Sequence, residues 1–234
     1  PPLFDVKIAA WLINSDENDY SPEALCRRFL RKEFFLDETE KNLRRLYAIL
    51  KEKMKDLKLE KIFWEIEMPL TPILTQMEKS GIRLNPAKLK KLTGEVNVKI
   101  KEKKKEIFQL TENEFNLNSP KQISEILFGK IGLTPPKKKM KLSTAEDFLL
   151  TVESQHPIVR KILEYRELFK LKSTYLEPFA KGVAADGRLR ARFLQTNTVT
   201  GRLSSAKPNM QNLPQDSAWS QAFRDCFEAD PDWQ

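Results

Sequence analysis

Hydrogen-bonding side chains are concentrated between Gln195 and Pro214, where the sequence reads QTNTVTGRLSSAKPNMQNLP. Hydroxyls and amides can reach phosphates, sugars and base edges. This stretch holds one arginine, Arg202, and Gly201 before it permits a turn or a close approach to a ligand. Composition alone also fits a long polar surface loop. The polar side chains concerned are Thr196, Thr198, Thr200, Ser204, Ser205, Asn209, Gln211 and Asn212.

The order of these residues says more than their composition. The pattern T-x-T-x-T-G-R-L-S-S-x-x-P-N-x-Q-N-x-P resembles the signature of family A DNA polymerases, the DNA polymerase I type. The resemblance implies that Arg202, Asn209 and Asn212 reach the minor groove of duplex DNA near the primer end. Acceptors there are similar in all correct base pairs, so these contacts test pair geometry without selecting a sequence. The resemblance implies further DNA contacts from Thr198, Thr200, Ser204, Ser205 and Gln211.

Composition favours a basic, mainly helical protein. The chain has 234 residues, a net charge of +8, 32% charged residues and only 7 glycines. Excess positive charge favours a polyanionic partner, and scarce glycine suits long helices. Cys26 and Cys226 form no CxxC pair, which argues against a zinc site or a disulfide framework. Without a signal peptide or an apolar run long enough to span a bilayer, we expect no membrane partner and a location in the cytoplasm of a bacterial or virus-infected cell.

The first segment, residues 1–62, reads as helices. Ser21 before Pro22 predicts a helix start, and a helix near residue 50 should bury Leu43, Leu46, Tyr47, Leu50 and Met54. This segment resembles the end of the 3′–5′ exonuclease domain in the same family. That resemblance places metal-binding carboxylates at Asp5 and Glu38, although Phe34 stands where the family has a tyrosine. Helix capping by Asp5 and a solvated Glu38 are the alternative.

The middle segment, residues 63–178, resembles the palm-base helix and the helical thumb of the family. Pro72 should lie near the first turn of its helix, and Asn85 and Ser119, each before a proline, should cap two more. Ser143 and Glu146 have the spacing of a capping box. Apolar residues of the helix after Asn85 should share one face: Leu89, Leu92, Val96, Ile100, Ile107 and Leu110.

Two groups of polar residues in this segment are candidate phosphate contacts. A lysine cluster that we name the lysine tip, within residues 134–142, follows two helix-breaking prolines. The family resemblance also implies that a helix end bearing KST approaches DNA phosphates. The residues are Lys137, Lys138, Lys139 and Lys141 in the lysine tip, and Lys172, Ser173 and Thr174 in the helix end.

Strands are expected in the last segment, residues 179–234, which resembles the start of the palm. RLRARFLQT alternates with period two after a turn at Asp186-Gly187, and SQAFRDCFEADPDWQ resembles the strand that leads to the first catalytic aspartate. Nucleotidyl transfer needs paired carboxylates for two Mg²⁺ ions, and we recognise no such pair here. We therefore expect that these residues alone extend no primer. Mg²⁺ and deoxynucleoside triphosphates should belong to the complete enzyme, and a separate chain is one source of the palm and fingers.

The expected fold is mainly α with a smaller α+β part. It comprises helices of a truncated exonuclease-like domain, a helical thumb and the first strands of the polymerase palm. The function implied by the resemblance is duplex DNA grip within a template-directed DNA polymerase of replication or repair, with primer–template DNA as partner. Two alternatives stay open: a non-catalytic DNA-binding module, and a helical scaffold with no nucleic-acid role.

Overall fold

Helices dominate the computed structural model, which describes residues 3–135, 141–215 and 218–230. The chain forms two compact units, each built from two stretches of sequence. The first unit runs to Ile82 and includes Arg188–Asn212, and the second comprises Arg83–Gly187 and the residues from Leu213 onward. The expected mainly helical fold with a few short strands is confirmed. The division into exonuclease-like, thumb and palm segments stays a prediction.

Side-chain caps start two helices of the first unit. Asp5 accepts hydrogen bonds from two first-turn backbone N–H groups at 2.8 and 3.1 Å, and Ser21 Oγ accepts one from Ala24 N at 3.3 Å. These contacts satisfy N–H groups that have no partner inside a helix. The helices are α1 (Val6–Ile13), α2 (Pro22–Leu25), α3 (Thr39–Asp56), α4 (Glu60–Ile62) and α5 (Met68–Ser80), with π-helical turns at Cys26–Leu30 and Phe63–Glu67 and a 3₁₀ turn at Leu36–Glu38.

The core of the first unit forms where α1 packs against α3. The predicted inward face of α3 is partly wrong, since Leu43 and Tyr47 are 39% and 40% exposed. Asn42 is fully buried instead, because it lies one helical turn before Leu46 and on the same face of α3. The buried apolar residues include Ile8, Trp11, Leu25, Leu46, Leu50, Met54 and Phe63.

Pro72 lies further inside a helix than expected. The path from Glu60 to Ser80 is continuously helical, because α4, the π-helical turn and α5 follow one another without a break. Pro72 therefore stands in the interior of this path, where it cannot donate to the carbonyl one turn earlier. The expectation of a first-turn position is therefore wrong, because the helical path begins well before Pro72.

The long helix of the second unit is α6 (Pro86–Thr111), capped by Asn85, whose Oδ1 accepts from Ala87 N and Lys88 N at 3.0 Å each. It packs against α9. Its predicted buried face is confirmed except at Leu110, which is 39% exposed. The other helices are α7 (Pro120–Ser124), α8 (Glu146–Val152), α9 (Ile158–Lys170), α10 (Glu177–Gly182) and α11 (Ser220–Arg224), with π-helical turns at Glu125–Lys130 and Leu171–Leu176 and a 3₁₀ turn at Glu153–Gln155.

The predicted capping box before α8 is wrong. Ser143 Oγ accepts a hydrogen bond from Ala145 N at 3.1 Å, in a turn that precedes the helix. The helix itself starts at Glu146, and Ala145 before it provides no side-chain cap. The N-cap position thus falls on Ala145, two residues after Ser143, and Glu146 is the first residue of the helix, too early for the glutamate of a capping box.

The strands are short and only partly where the sequence placed them. RLRARFLQT is two strands with a break between them, and the segment near the end contains α11 before a strand of two residues, where a single strand was expected. Arg83 pairs with Glu228 and Leu84 with Phe227 in antiparallel register. The strands are β1 (Ile82–Leu84), β2 (Arg188–Leu189), β3 (Arg192–Leu194), β4 (Ser204–Ala206) and β5 (Phe227–Glu228).

Candidate nucleic-acid interface

A β-hairpin of the first unit carries Arg202. Its strands β3 and β4 pair antiparallel, with Arg192 opposite Ala206 and Leu194 opposite Ser204. We name residues 192–206 the Arg202 hairpin. Thr198 Oγ1 donates to the Arg202 carbonyl oxygen at 2.6 Å across the connection. Residues 195–206 of the predicted polar stretch thus lie in the connection and the second strand of this hairpin.

Gly201 permits the backbone turn at this place. Its φ is +76°, in the left-handed region that side chains disfavour. The predicted turn before Arg202 is therefore confirmed. Arg202 therefore lies immediately after the turn of the hairpin.

The guanidinium of Arg202 is exposed. Within the ranges that the structure describes, no carboxylate forms an ion pair with it and no hydrogen bond involves its side chain. The five N–H donors of an arginine are thus available to an external acceptor.

Ser205 and Asn209 shape the loop after β4. Ser205 is 6% exposed, its Oγ accepts from Met210 N at 2.8 Å and it donates to Asn209 Oδ1 at 3.1 Å. Asn209 Oδ1 also accepts from Gln211 N at 3.0 Å. Ser205 therefore faces the interior. Asn209 is exposed, and its Nδ2 is not used in these hydrogen bonds.

The other predicted contact residues of this stretch differ in exposure. Thr198 and Ser204 are partly buried, and Ser204 Oγ is enclosed without a hydrogen-bond partner among the described residues. The exposed ones are Thr200, Gln211 and Asn212. Contact of these five residues with DNA stays a prediction.

The base of the Arg202 hairpin is tied to α5 and the π-helical turn before it. Gln195 Nε2 donates to Glu67 Oε2 at 3.0 Å, and Gln195 Oε1 accepts from Thr71 Oγ1 at 3.0 Å. Glu78 Oε1 accepts from Phe193 N at 2.5 Å. Glu67 is only 9% exposed, so a buried carboxylate holds the first residue of the loop. The sequence analysis assigned no role to Glu67 or Glu78.

The far end of the hairpin is tied to the end of α1. Trp11 Nε1 donates to Thr198 O at 3.0 Å, and Ser15 Oγ donates to Val199 O at 3.3 Å. No sequence pattern indicated these contacts, because their partners are 187 and 184 residues apart.

Lys172, Ser173 and Thr174 lie in the π-helical turn that continues α9 in the second unit. Ser173 and Thr174 are exposed, and Lys172 Nζ lies 3.7 Å from Glu177 Oε1. The ion pair leaves the ammonium partly neutralised. The two hydroxyls are available to a phosphate.

Only one residue of the lysine tip falls within the described ranges. Lys141 is exposed and lies outside helices and strands. Lys137, Lys138 and Lys139 lie outside the described residues.

A cleft of about 700 Å³ in the second unit runs beside α9. Acidic and basic side chains both line it, including Arg160, Arg166, Glu164 and Glu167. Burial lowers the pKa of Arg166, and its guanidinium donates to the Thr144 carbonyl. The mixture of charges makes this cleft a poorer anion site than a uniformly basic one.

Asp5 and Glu38, the two carboxylates predicted as metal ligands, are engaged in local contacts. Asp5 caps α1, as described above. Glu38 is bound to Lys32 Nζ at 2.6 Å and Lys41 Nζ at 3.0 Å, and these hydrogen bonds lower its pKa to about 2. No three His, Cys, Asp or Glu side chains converge as metal ligands within residues 3–135, 141–215 and 218–230. Metal binding by Asp5 and Glu38 stays a prediction.

Comparison with known proteins decides the family. Residues 86–234 match the family model described as DNA polymerase family A. The chain belongs to DNA polymerase family A. A thermostable DNA polymerase I of Thermus thermophilus is 39% identical over 241 residues, covering 99% of this chain and 28% of the relative. The DNA polymerase I of Treponema pallidum (strain Nichols) is 36% identical over 251 residues, covering 97% and 25%.

A solved structure of the same family shares the fold. The polymerase domain of Pol1 from M. smegmatis, in complex with DNA primer-template and dNTP, superposes with a TM-score of 0.89 at 28% identity. The match covers 95% of this chain and 40% of that domain chain. This family A chain thus spans about a quarter of its curated relatives and less than half of the solved domain. Among its described residues, no helix is both long enough and apolar enough to cross a bilayer.

Proposed function

We propose that these residues grip duplex DNA within a template-directed DNA polymerase. The observation that carries the proposal is the fold shared, over 95% of the chain, with a polymerase domain solved with DNA primer-template and dNTP. The parent protein adds nucleotides to a primer, and this region holds the product duplex. The exposed Arg202 guanidinium and the net charge of +8 support a polyanionic partner.

Arg202 is the central contact of the proposed grip. A guanidinium on a turn can enter the minor groove and donate to the acceptors that all correct pairs present there. The exposed amides and hydroxyls nearby add further donors. Ser173 and Thr174, with Lys172 and the lysine tip, contact phosphates, which supplies affinity without sequence preference.

Mg²⁺ and deoxynucleoside triphosphates enter the proposal only through the parent enzyme. Two-metal phosphoryl transfer needs paired carboxylates, and the sequence shows no recognised pair of that kind. We assign to this region the binding and orientation of the duplex, and no step of the transfer itself.

The first test is Arg202→Ala in a duplex-binding assay. Fluorescence anisotropy with a labelled primer–template duplex at low salt should show a loss of affinity of about tenfold to a hundredfold, since a groove contact by arginine contributes roughly 1–3 kcal/mol. Arg44→Ala is the matched control, because Arg44 is an exposed arginine of the same unit paired with Glu40 on the surface of α3. Its affinity should stay within about twofold.

Equal affinities for Arg202→Ala and Arg44→Ala would remove Arg202 from the interface. No binding of the unaltered chain to any duplex at low salt would overturn the proposal and favour a helical scaffold.

The second test concerns the lysine tip. Replacing Lys137, Lys138, Lys139 and Lys141 with alanine should flatten the dependence of log affinity on log salt by about 0.9 for each lost phosphate contact. A slope equal to that of the unaltered chain would place the lysine tip outside the DNA-binding surface.

A further inference from the structure

The tip of the Arg202 hairpin is held by side chains from the opposite end of the sequence. Trp11 Nε1 reaches Thr198 O at 3.0 Å, and Ser15 Oγ reaches Val199 O at 3.3 Å. The Val199 side chain itself is 60% exposed. Apolar packing by Val199 therefore contributes little, and the hydrogen bonds to the backbone fix this part of the hairpin.

Trp11 is a rigid anchor for these bonds. Its side chain is 3% exposed and lies in the core between α1 and α3. The indole N–H is a donor only, and a buried donor without an acceptor costs free energy. Breaking the contact with Thr198 would thus leave an unsatisfied group in the core. Because of this free-energy cost, the Thr198 carbonyl stays within hydrogen-bonding distance of Trp11.

Thr198 connects this anchor to Arg202. Its carbonyl accepts from Trp11, while its hydroxyl donates to the Arg202 carbonyl at 2.6 Å. One residue therefore joins the core to the backbone of the arginine. Gly201 between them has no side chain to restrict φ, so the backbone before Arg202 depends on such contacts for its conformation.

We propose that Trp11 is a positioning residue for Arg202. It acts through the indole N–H, the Thr198 carbonyl and the Thr198 hydroxyl, and it fixes the direction in which the guanidinium leaves the hairpin. The inference rests on the proposed function, because it assumes that Arg202 contacts DNA. It assigns to a helix of the exonuclease-like segment a part in the grip on duplex DNA.

A double-mutant cycle tests this role. Trp11→Phe keeps an aromatic ring in the core and removes the N–H, and it should weaken duplex binding roughly three- to tenfold, as expected for one lost hydrogen bond. In the Arg202→Ala background, Trp11→Phe should have an effect of less than about twofold, because two residues that act through one contact are not additive. A purely structural role of Trp11 would give the same factor in both backgrounds.

Trp64→Phe is the matched control. Trp64 is a partly buried tryptophan packed against the same core, with its ring 4.8 Å from that of Phe63. It has no hydrogen bond to the hairpin among the described residues. Its substitution should change duplex affinity less than twofold while perturbing the core to a similar degree.

Hydrogen exchange without DNA provides a second readout. Amides of residues 196–203 should exchange faster in Trp11→Phe than in Trp64→Phe, since the tip has lost a contact. Additive effects in the cycle, or unchanged exchange in Trp11→Phe, would overturn the inference. If Arg202→Ala itself leaves affinity unchanged, Arg202 lies outside the DNA interface, and if the unaltered chain binds no duplex, the proposed function fails. In either case the exchange experiment still tests whether Trp11 holds the hairpin.

Discussion

A single amide, Asn42, is enclosed in the core of the first unit. It is 0% exposed, and neither its Nδ2 nor its Oδ1 has a hydrogen-bond partner among the described residues. An Asn side chain can make up to four hydrogen bonds, and each buried group left unpaired costs free energy. Asn42 thus opposes the packing of α3 that Leu46 and Leu50 stabilise.

Asn42→Leu should therefore stabilise the protein. Leucine has a similar shape and no polar atoms, so the free energy of unfolding should rise by about 1–3 kcal/mol, the cost of an unsatisfied buried group. Urea unfolding followed by circular dichroism measures the change as a shift of the midpoint at constant slope.

The half-buried Asn97 on α6 provides the control for this change. Asn97→Leu should alter stability by less than about 0.5 kcal/mol. A destabilised Asn42→Leu would contradict the argument and would show that the amide has a partner in solution, such as an internal water.

At the scale of elements, the end of α5 depends on one glycine. Gly81 has φ +62° and ψ −177°, a combination open essentially to glycine alone. A Cβ at this position would lie 2.8 Å from Leu189 O and 2.8 Å from Arg190 Cγ. The close approach of two backbones leaves no room for a methyl group.

Gly81→Ala should lower the free energy of unfolding by at least about 1–3 kcal/mol, from backbone strain together with the contact with Leu189 O. Gly94 is the opposite case, since it lies within α6 with open space where its Cβ would be. Gly94→Ala should raise stability by about 0.5–1 kcal/mol. Thermal unfolding of both variants measures the contrast, and equal shifts would refute it.

An ion network joins α6 to α9. Lys103 Nζ lies 2.8 Å from Glu164 Oε2 and 3.3 Å from Glu106 Oε2, and Glu106 also binds Lys161. The hydrogen bond from Lys161 is the main cause that lowers the pKa of Glu106, and the one from Lys103 lowers the pKa of Glu164. The sequence did not indicate this network, because α9 lies far along the chain from Lys103 and Glu106.

The network should make stability depend on pH. Since both glutamate pKa values are lowered in the folded state, their contribution is complete above the unfolded pKa of about 4.3. It is lost as the pH falls through the folded values. Glu106→Gln should lower the free energy of unfolding by about 0.5–1 kcal/mol at pH 7. It should leave that free energy unchanged in acid, where Glu106 is protonated.

Glu102→Gln is the control for this substitution, because Glu102 pairs with Lys99 within α6 alone. It should cost less than about 0.5 kcal/mol at either pH. Urea unfolding at pH 7 and in acid compares the two variants, and a pH-independent cost for Glu106→Gln would contradict the role of its charge.

Most features set by neighbouring residues could be predicted from the sequence, the capping box at Ser143 excepted, and those set by distant partners could not. The caps at Ser21 and Asn85 are local, so residue types alone indicated them. Whether Asn42 or Leu43 faces the core depends on the rotation of α3 against α1. The contact of Trp11 with Thr198 depends on the folded chain as a whole.

The candidate site follows the same rule. Arg202 and its turn were predicted because Gly201 precedes it and because the family pattern is a string of adjacent residues. Its supports, Glu67 and Trp11, were not predicted as such, since neither lies near it in sequence. Ser205 was predicted as a DNA contact, but it lies in β4, where successive side chains point to opposite faces, and its own side chain is turned inward.

At the scale of the whole molecule, each compact unit contains one buried thiol. Cys26 belongs to the first unit and Cys226 to the second, and they are 0% and 1% exposed. Burial raises the pKa of both thiols. Because the thiolate is the reactive form, both cysteines should be inert in the folded protein.

Alkylation with iodoacetamide should therefore report each unit separately. In the folded protein at pH 8, both thiols should react on the order of a hundredfold slower than in urea, because opening the core costs several kcal/mol. Mass spectrometry of peptides after brief labelling at increasing urea gives one unfolding curve for Cys26 and one for Cys226. Rapid labelling of either thiol without urea would show that its unit is not closed in solution.

The first unit is interrupted in the sequence, and this affects the order in which a ribosome delivers its parts. The core around Trp11 is composed of residues up to Phe63, whereas the acceptor for the Trp11 N–H is 187 residues away and the donor to Glu67 Oε2 is 128 residues away. At synthesis rates of about 5–20 residues per second, the residues of the hairpin are synthesised many seconds after those of the core. Docking of the hairpin is thus a late event of biosynthesis, and until then water hydrates both polar groups.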